Sequence, residues 1–199
     1  MRASSLSGLC VVLAGATSAW ADPPVPQFSA ADTARLDQGE VLVKSLDPKG
    51  GGIAGKAAGV VRASPDRVWD VINDCAHYKD FMPRTVASER LADGAACKVE
   101  ISMPFPFSNL WSETKVQHVY LDGGGRRRQW SLLRGTYKTV EGSWTLWPWK
   151  DGQTLLLYVI EADPDVPVPN AILRSAQEST LPDMYTAIRA RSGAPEPTR

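Results

Sequence analysis

The chain has 199 residues, and its 22 lysines and arginines balance 22 aspartates and glutamates, so the formal charge at pH 7 is zero. That length suffices for one domain with a full hydrophobic core. The even balance leaves no electrostatic basis for binding nucleic acid or an anionic membrane surface.

At the N-terminus, Arg2 precedes an apolar stretch from Leu9 to Ala16 and a small-x-small site, Ala19-Trp20-Ala21. This is the pattern of a secretory signal peptide (residues 1–21) cleaved after Ala21, which predicts a periplasmic or secreted protein. The stretch is well short of the ~20 residues that span a bilayer, so no membrane span is expected. The bulky Leu9 before Cys10 argues against a lipidated cysteine. Cleavage leaves about 178 residues with 21 basic and 22 acidic side chains. Residues 22–39 read as an extended leader with a short helix capped by Ser29, residues 40–191 as the domain, and residues 192–199 as a flexible tail.

Two strands come next, Glu40 to Leu46 and Ile53 to Ala63, split by the turn Pro48-Lys49-Gly50-Gly51-Gly52. The run from Ser64 to Asp74 then reads as a short helix. Ser64 is a good N-cap, Pro65 suits the first helical position, and Asp66 complements the positive helix end. Val68, Trp69 and Ile72 are expected on its inner side. A second short helix or turn covers His77 to Phe81. Val99, Ile101 and Met103 then alternate with Lys98, Glu100 and Ser102 as a half-buried strand, which Pro104 and Pro106 end.

Strands Trp111 to Leu121, Arg127 to Arg134, Lys138 to Trp149 and Thr154 to Ala162 follow with short turns between them, an antiparallel meander. Leu155 to Ile160 is apolar on both faces, as in a strand covered on both sides. The Arg126-Arg127-Arg128 run reads as a solvated hairpin shoulder rather than a phosphate or lipid-headgroup contact. A closing helix spans about Asn170 to Arg189, with a stripe of Leu173, Ala176, Thr180, Met184, Ala187 and Ile188. Pro182 is expected to kink or restart it near Leu181. The small residues on the stripe leave space for a cavity.

Cys75 and Cys97 remain after cleavage. They are either a disulfide, closing a loop of about 22 residues worth roughly 3 kcal/mol, or two buried thiols. They are not a C-x-x-C pair, and with only His77 and His118 beside them they make a poor metal site, so no metal and no cofactor is expected.

Ala63-Ser64-Pro65-x-x-Val68-Trp69-x-Val71-Ile72-x-Asp74, then Tyr78-x-x-Phe81-Met82-Pro83, resembles the opening of polyketide cyclase/dehydrase-type and coenzyme Q-binding START-type proteins. Glu141-Gly142-Ser143-Trp144 and the closing helix are similar to exported bacterial members of that SRPBCC, or START-like, superfamily. The resemblance covers about residues 40–190. It implies an α+β helix-grip fold: a curved antiparallel sheet wrapped around a long C-terminal helix, with two short helices after the first long strand. It also implies an elongated, mostly apolar cavity between sheet and helix.

Candidate ligand-binding residues are Trp111, Trp130, Arg134, Tyr137, Glu141, Trp144, Tyr158, Leu173 and Met184. Six tryptophans survive cleavage, which suits either ring-stacking in a cavity or core filling; Trp147 and Trp149 share a face opposite Trp144 and Leu146. Glu113, Arg134, Tyr137, Glu141 and Tyr158 lie in apolar strands and must be paired, exposed or cavity-lining. Arg134 and Glu141 flank the Gly135-Thr136 turn and are expected to pair. The Met103 to Trp111 segment is a lid, a contact surface or a loop tucked onto the sheet edge.

No nucleophile elbow, metalloprotease helix, phosphate loop or dinucleotide fingerprint is present in the sequence. The leading expectation is therefore a monomeric binder of a lipid-like or isoprenoid-like hydrophobic molecule, without catalysis. The alternatives are a cyclase- or hydrolase-like enzyme with His118 or Glu141 as base, and an envelope protein-interaction module using the Met103 to Trp111 loop.

Overall fold

Ser64 begins the helix that its capping pattern predicts. The computed structural model describes residues 25–91 and 94–193, so the expected signal peptide and all of the tail beyond Gly193 lie outside the described residues. Helix α1 (Ala30–Asp37) starts where the Ser29 hydroxyl accepts the Asp32 N–H at 3.0 Å, and α2 (Pro65–Asn73) where the Ser64 hydroxyl accepts the Arg67 N–H at 3.4 Å. Val68, Val71 and Ile72 are the buried residues of α2. Trp69 packs against the same core as expected, but at its margin. It lies one step around this short helix, only partly buried, with its ring edge against His118 at 5.1 Å between centroids. A 3₁₀ turn, Cys75–His77, leads into α3 (Tyr78–Phe81).

Eight strands follow the expected meander: β1 (Leu42–Leu46), β2 (Ile53–Val61), β3 (Thr85–Arg90), β4 (Ala96–Ile101), β5 (Leu110–Leu121), β6 (Gly125–Gly135), β7 (Tyr137–Pro148) and β8 (Thr154–Pro164). They form one sheet in the order β1-β2-β8-β7-β6-β5-β4-β3, every neighbour antiparallel. The curved sheet holds α4 (Asn170–Arg191) against one face, the helix-grip α+β architecture. The strand that sequence reading missed is β3. It is an edge strand without apolar alternation, and its Val86 is 50% exposed.

Two clusters pack on opposite faces of the sheet. Under α4 lie Val68, Ile72, Trp144, Leu146, Leu156, Tyr185 and Ile188. On the other face, Leu36 of α1 meets Val60, Trp147 and Leu155, with Phe28 and Trp149 alongside. Thus Trp144 and Trp147 do point opposite ways, and Leu155 and Leu156 are both fully buried because β8 is covered on both sides. Helix α4 runs unbroken through Pro182, so the expected restart near Leu181 does not occur. Pro182 is exposed, so water can take the carbonyl that its missing N–H leaves free.

Cys75 and Cys97 are joined by a disulfide, with Cα atoms 6.2 Å apart. It ties the start of the α3 segment to β4. No helix among the described residues is long and apolar enough to cross a membrane.

Candidate functional site

Antiparallel register lays rows of side chains across the sheet beneath α4. In the first row, Leu146 and Leu156 lead to Gly59. A Cβ on Gly59 would fall 2.6 Å from the Tyr185 ring, so glycine is what lets that ring lie on the sheet. Tyr185 is fully buried, with its hydroxyl 2.9 Å from the Ala57 carbonyl and 2.8 Å from that of Leu156. With Val68, Ile72 and Ile188 also fully buried, this end is closed.

The second row is Arg128, Trp144, Tyr158 and Ala57; the third is Trp130, Gly142, Ile160 and Gly55; the fourth is Val140, Ala162 and Ile53. Above them α4 presents Ala176, Gln177 and Thr180 instead of tyrosine and isoleucine. The short side chains leave a cavity of about 280 Å³, walled on its flank by Tyr78, Met82 and Val99. That is at the lower edge of the ~300–1,000 Å³ usual for small-molecule sites.

The lining is dominated by apolar and aromatic groups. Tyr158 stacks obliquely on Trp144 at 4.3 Å between centroids and meets Trp130 at 5.8 Å. Among the described residues no Asp, Glu or His lines the cavity. Burial pushes the phenols of Tyr137 and Tyr158 well above their usual range, so both stay neutral and able to donate. The Gln177 amide nitrogen is buried without a partner, packed over Gly55.

Arg128 is the main charge in this lining and is only 5% exposed. Its guanidinium lies 5.7 Å from the Trp130 ring centroid and 5.9 Å from that of Tyr78. Among the described residues, no carboxylate and no hydrogen-bond acceptor is paired with it. Burying an ion costs on the order of several kcal/mol, whereas a ring-face contact returns roughly 0.5–2 kcal/mol. The two rings therefore do not by themselves offset the burial.

The expected site residues divide cleanly. Trp130, Tyr137, Trp144, Tyr158, Leu173 and Met184 line the cavity, and Trp111, Arg134 and Glu141 do not. Trp111 is partly buried under Lys98, whose Nζ is 5.5 Å from the ring. Arg134 does not pair with Glu141. It forks onto Glu113 at 2.7 and 2.8 Å, because the β6–β7 ladder ends at Ser131–Glu141 and a bulge at Glu113/Thr114 aligns Arg134 with Glu113. Glu141 instead takes the Lys49 Nζ at 2.9 Å. His118 is exposed beside Trp69, and burial, then the Arg128 charge, lowers its pKa. In the Met103 to Trp111 segment, Met103 and Leu110 reach the lining while Phe105 is 97% exposed.

Sequence reading missed Arg128, Tyr78, Met82, Gln177 and Leu181. The basic run is not a solvated shoulder throughout: Arg128 is buried, whereas Arg127 faces the other way and donates to the Thr145 hydroxyl at 3.1 Å. Strand alternation counted back from Trp130 was the available signal, since it puts Arg128 on the Trp130 face and Arg127 opposite.

A family profile described as polyketide cyclase/dehydrase and lipid transport matches residues 61–189. No curated protein gives a significant match. Among solved structures, a STAR-related lipid transfer protein from Xanthomonas axonopodis is 21% identical, with a TM-score of 0.68 over 77% of this chain and 93% of that one. Human StAR-related lipid transfer protein 5 is 13% identical, with a TM-score of 0.65 over 78% and 82%. A START superfamily protein from Mycobacterium smegmatis is 17% identical, with a TM-score of 0.57 over 70% and 97%. At these identities the likeness is one of fold.

Proposed function

Because the chain belongs to the polyketide cyclase/dehydrase and lipid transport family, we propose that it is a non-catalytic binding protein for a lipid-like or isoprenoid-like hydrophobic molecule. The observation that carries this reading is the apolar, ring-lined cavity of about 280 Å³ between the sheet and α4. Apolar burial supplies most of the affinity, at about 25 cal/mol per Å². Trp130, Tyr137, Trp144, Tyr158, Leu173 and Met184 form the contact surface. That the similar folds include STAR-related lipid transfer proteins supports the ligand class.

Export is part of the same reading. A Cys75–Cys97 bridge is compatible with an oxidising compartment, and residues 1–21 carry the signal-peptide pattern. Fractionation with N-terminal sequencing tests this: the mature protein is expected outside the cytoplasm and starting at Asp22.

Ligand binding is tested by purifying the protein from its native host and extracting it for mass spectrometry. One recurrent hydrophobic species at near-stoichiometric amount is expected. A delipidated sample should also change its tryptophan emission on adding an alkyl ligand, since Trp130 and Trp144 line the cavity. Protein that is always recovered empty, with emission indifferent to saturating ligand, contradicts the proposal.

A further inference from the structure

The second row of the sheet carries a charge that no carboxylate among the described residues neutralises. Arg128 is 5% exposed, lines the cavity, and has the ring faces of Trp130 and Tyr78 against its cation, with His118 and Tyr158 within reach of its charge and no carboxylate paired with it among the described residues. The Tyr78 hydroxyl is already committed to the Ile72 carbonyl. The other polar groups of the lining include further donors: the neutral Tyr137 and Tyr158 phenols and the unpartnered Gln177 amide nitrogen. A cavity with donors, one deep cation and no lining acid is complementary to an anion and hostile to a cation.

The row order gives direction. Arg128 lies next to the closed end, where Leu146, Leu156 and Tyr185 fill the space, and the apolar rows of Trp130–Ile160 and Val140–Ile53 follow. Arg84, the other charged lining residue, is partly exposed and donates to the Ser102 carbonyl at 3.3 Å. We infer that the ligand is a monoanionic amphiphile. Its carboxylate lies deepest, against Arg128, and its apolar body runs along Trp130 and Ile160 toward Ile53 and Met103. A single guanidinium matches a carboxylate in charge and in its two-pronged geometry, whereas a doubly charged phosphate would bring a second charge with no second buried cation to meet it. A neutral ligand would leave the guanidinium as unpaired as before. This inference rests on the cavity being a hydrophobic-ligand site.

The test titrates delipidated protein with dodecanoate, dodecanol, dodecyl phosphate and dodecyltrimethylammonium, read by calorimetry and tryptophan emission. Dodecanoate is expected to bind about tenfold or more tighter than dodecanol, the scale of one charge-assisted hydrogen-bonded pair, and the ammonium compound weakest. Arg128→Met should abolish the preference for dodecanoate while leaving dodecanol binding unchanged or improved, and Arg128→Lys should retain part of it. Replacing a buried unpaired charge by an apolar side chain favours folding, and a thermal midpoint at or above that of the parent confirms it for the Met variant. Equal affinity for dodecanoate and dodecanol overturns the inference but leaves the hydrophobic-ligand reading standing. So does tighter binding of dodecyl phosphate, or a parallel loss of both ligands in Arg128→Met. Binding of none of the four overturns both.

Discussion

Two buried arginines lie on the same side of one sheet and meet opposite fates. Arg189, at the closed end, sends its Nε and Nη2 to the Val60 carbonyl at 3.0 and 2.9 Å, fastening the last turns of α4 to β2. Arg128, one row along and lining the cavity, has two ring faces and no acceptor among the described residues. The residues around them differ in the same sense. Under the C-terminal half of α4, Tyr185 and Ile188 fill the space completely. Under the N-terminal half, Ala176, Gln177 and Thr180 leave it unfilled. A sheet gripping a helix is thus a scaffold where bulky side chains and backbone acceptors complete each other, and a receptor where both run short.

The contrast can be broken most forcibly at the closed end. Tyr185→Ala removes a fully buried ring and its hydroxyl contacts to two carbonyls. It should cost about 3–5 kcal/mol, read as a lowered midpoint in urea. Next comes the tie between α3 and β4. Reducing Cys75–Cys97, or changing Cys97→Ser, should cost roughly 3 kcal/mol by loop entropy, measured by denaturation with and without reductant. Because Tyr78 and Met82 stand on the tied segment, ligand affinity should fall as well.

At the open end the same kind of edit should behave differently. Ala176→Leu grows into empty space, so stability should change by under about 1.5 kcal/mol while alkyl-ligand binding weakens about tenfold or more. A large loss of stability, as at Tyr185, would show that the cavity end is packed after all. The smallest effect concerns His118. Burial and the Arg128 charge hold its folded-state pKa below the unfolded value, which is about 6.5. The folded protein therefore resists protonation, so this contribution is complete above that pH and is lost as pH falls through the folded value. Thermal midpoints should decline slightly between pH 7.5 and 5, and His118→Gln should flatten that part of the slope.

What could be read in advance follows a physical boundary. Capping at Ser29 and Ser64, the two-residue period of β4 and the opposed faces of Trp144 and Trp147 are local properties of a few neighbouring residues. All were legible. The cysteine pairing was narrowed to two options by count and spacing. The partner of Arg134 was not legible, because it depends on a bulge and on where the β6–β7 ladder stops. Arg128 was hidden by its neighbours, since three consecutive arginines look solvated until alternation from Trp130 is applied. The edge strand β3 gave no signal because an edge held by β4 alone needs little apolar content. Trp69 was placed correctly on α2 and misjudged in depth, a distinction one step around a nine-residue helix decides.

The seam between β2 and β8 carries a consequence for how the molecule is made. Ile53 pairs with Ala162 and Val61 with Thr154, so the second strand of the chain finds its seat only when the eighth exists. Strands β3 to β8 pair with sequence neighbours and can zip up by successive hairpins as they emerge. The N-terminal hairpin must wait. Until β8 is present it is a pair of strands with no further neighbour, and its docking closes a long loop. Ile53 is part of the cavity wall, so that wall needs both ends of the chain, and a chain stopped before Thr154 has nowhere to put its beginning.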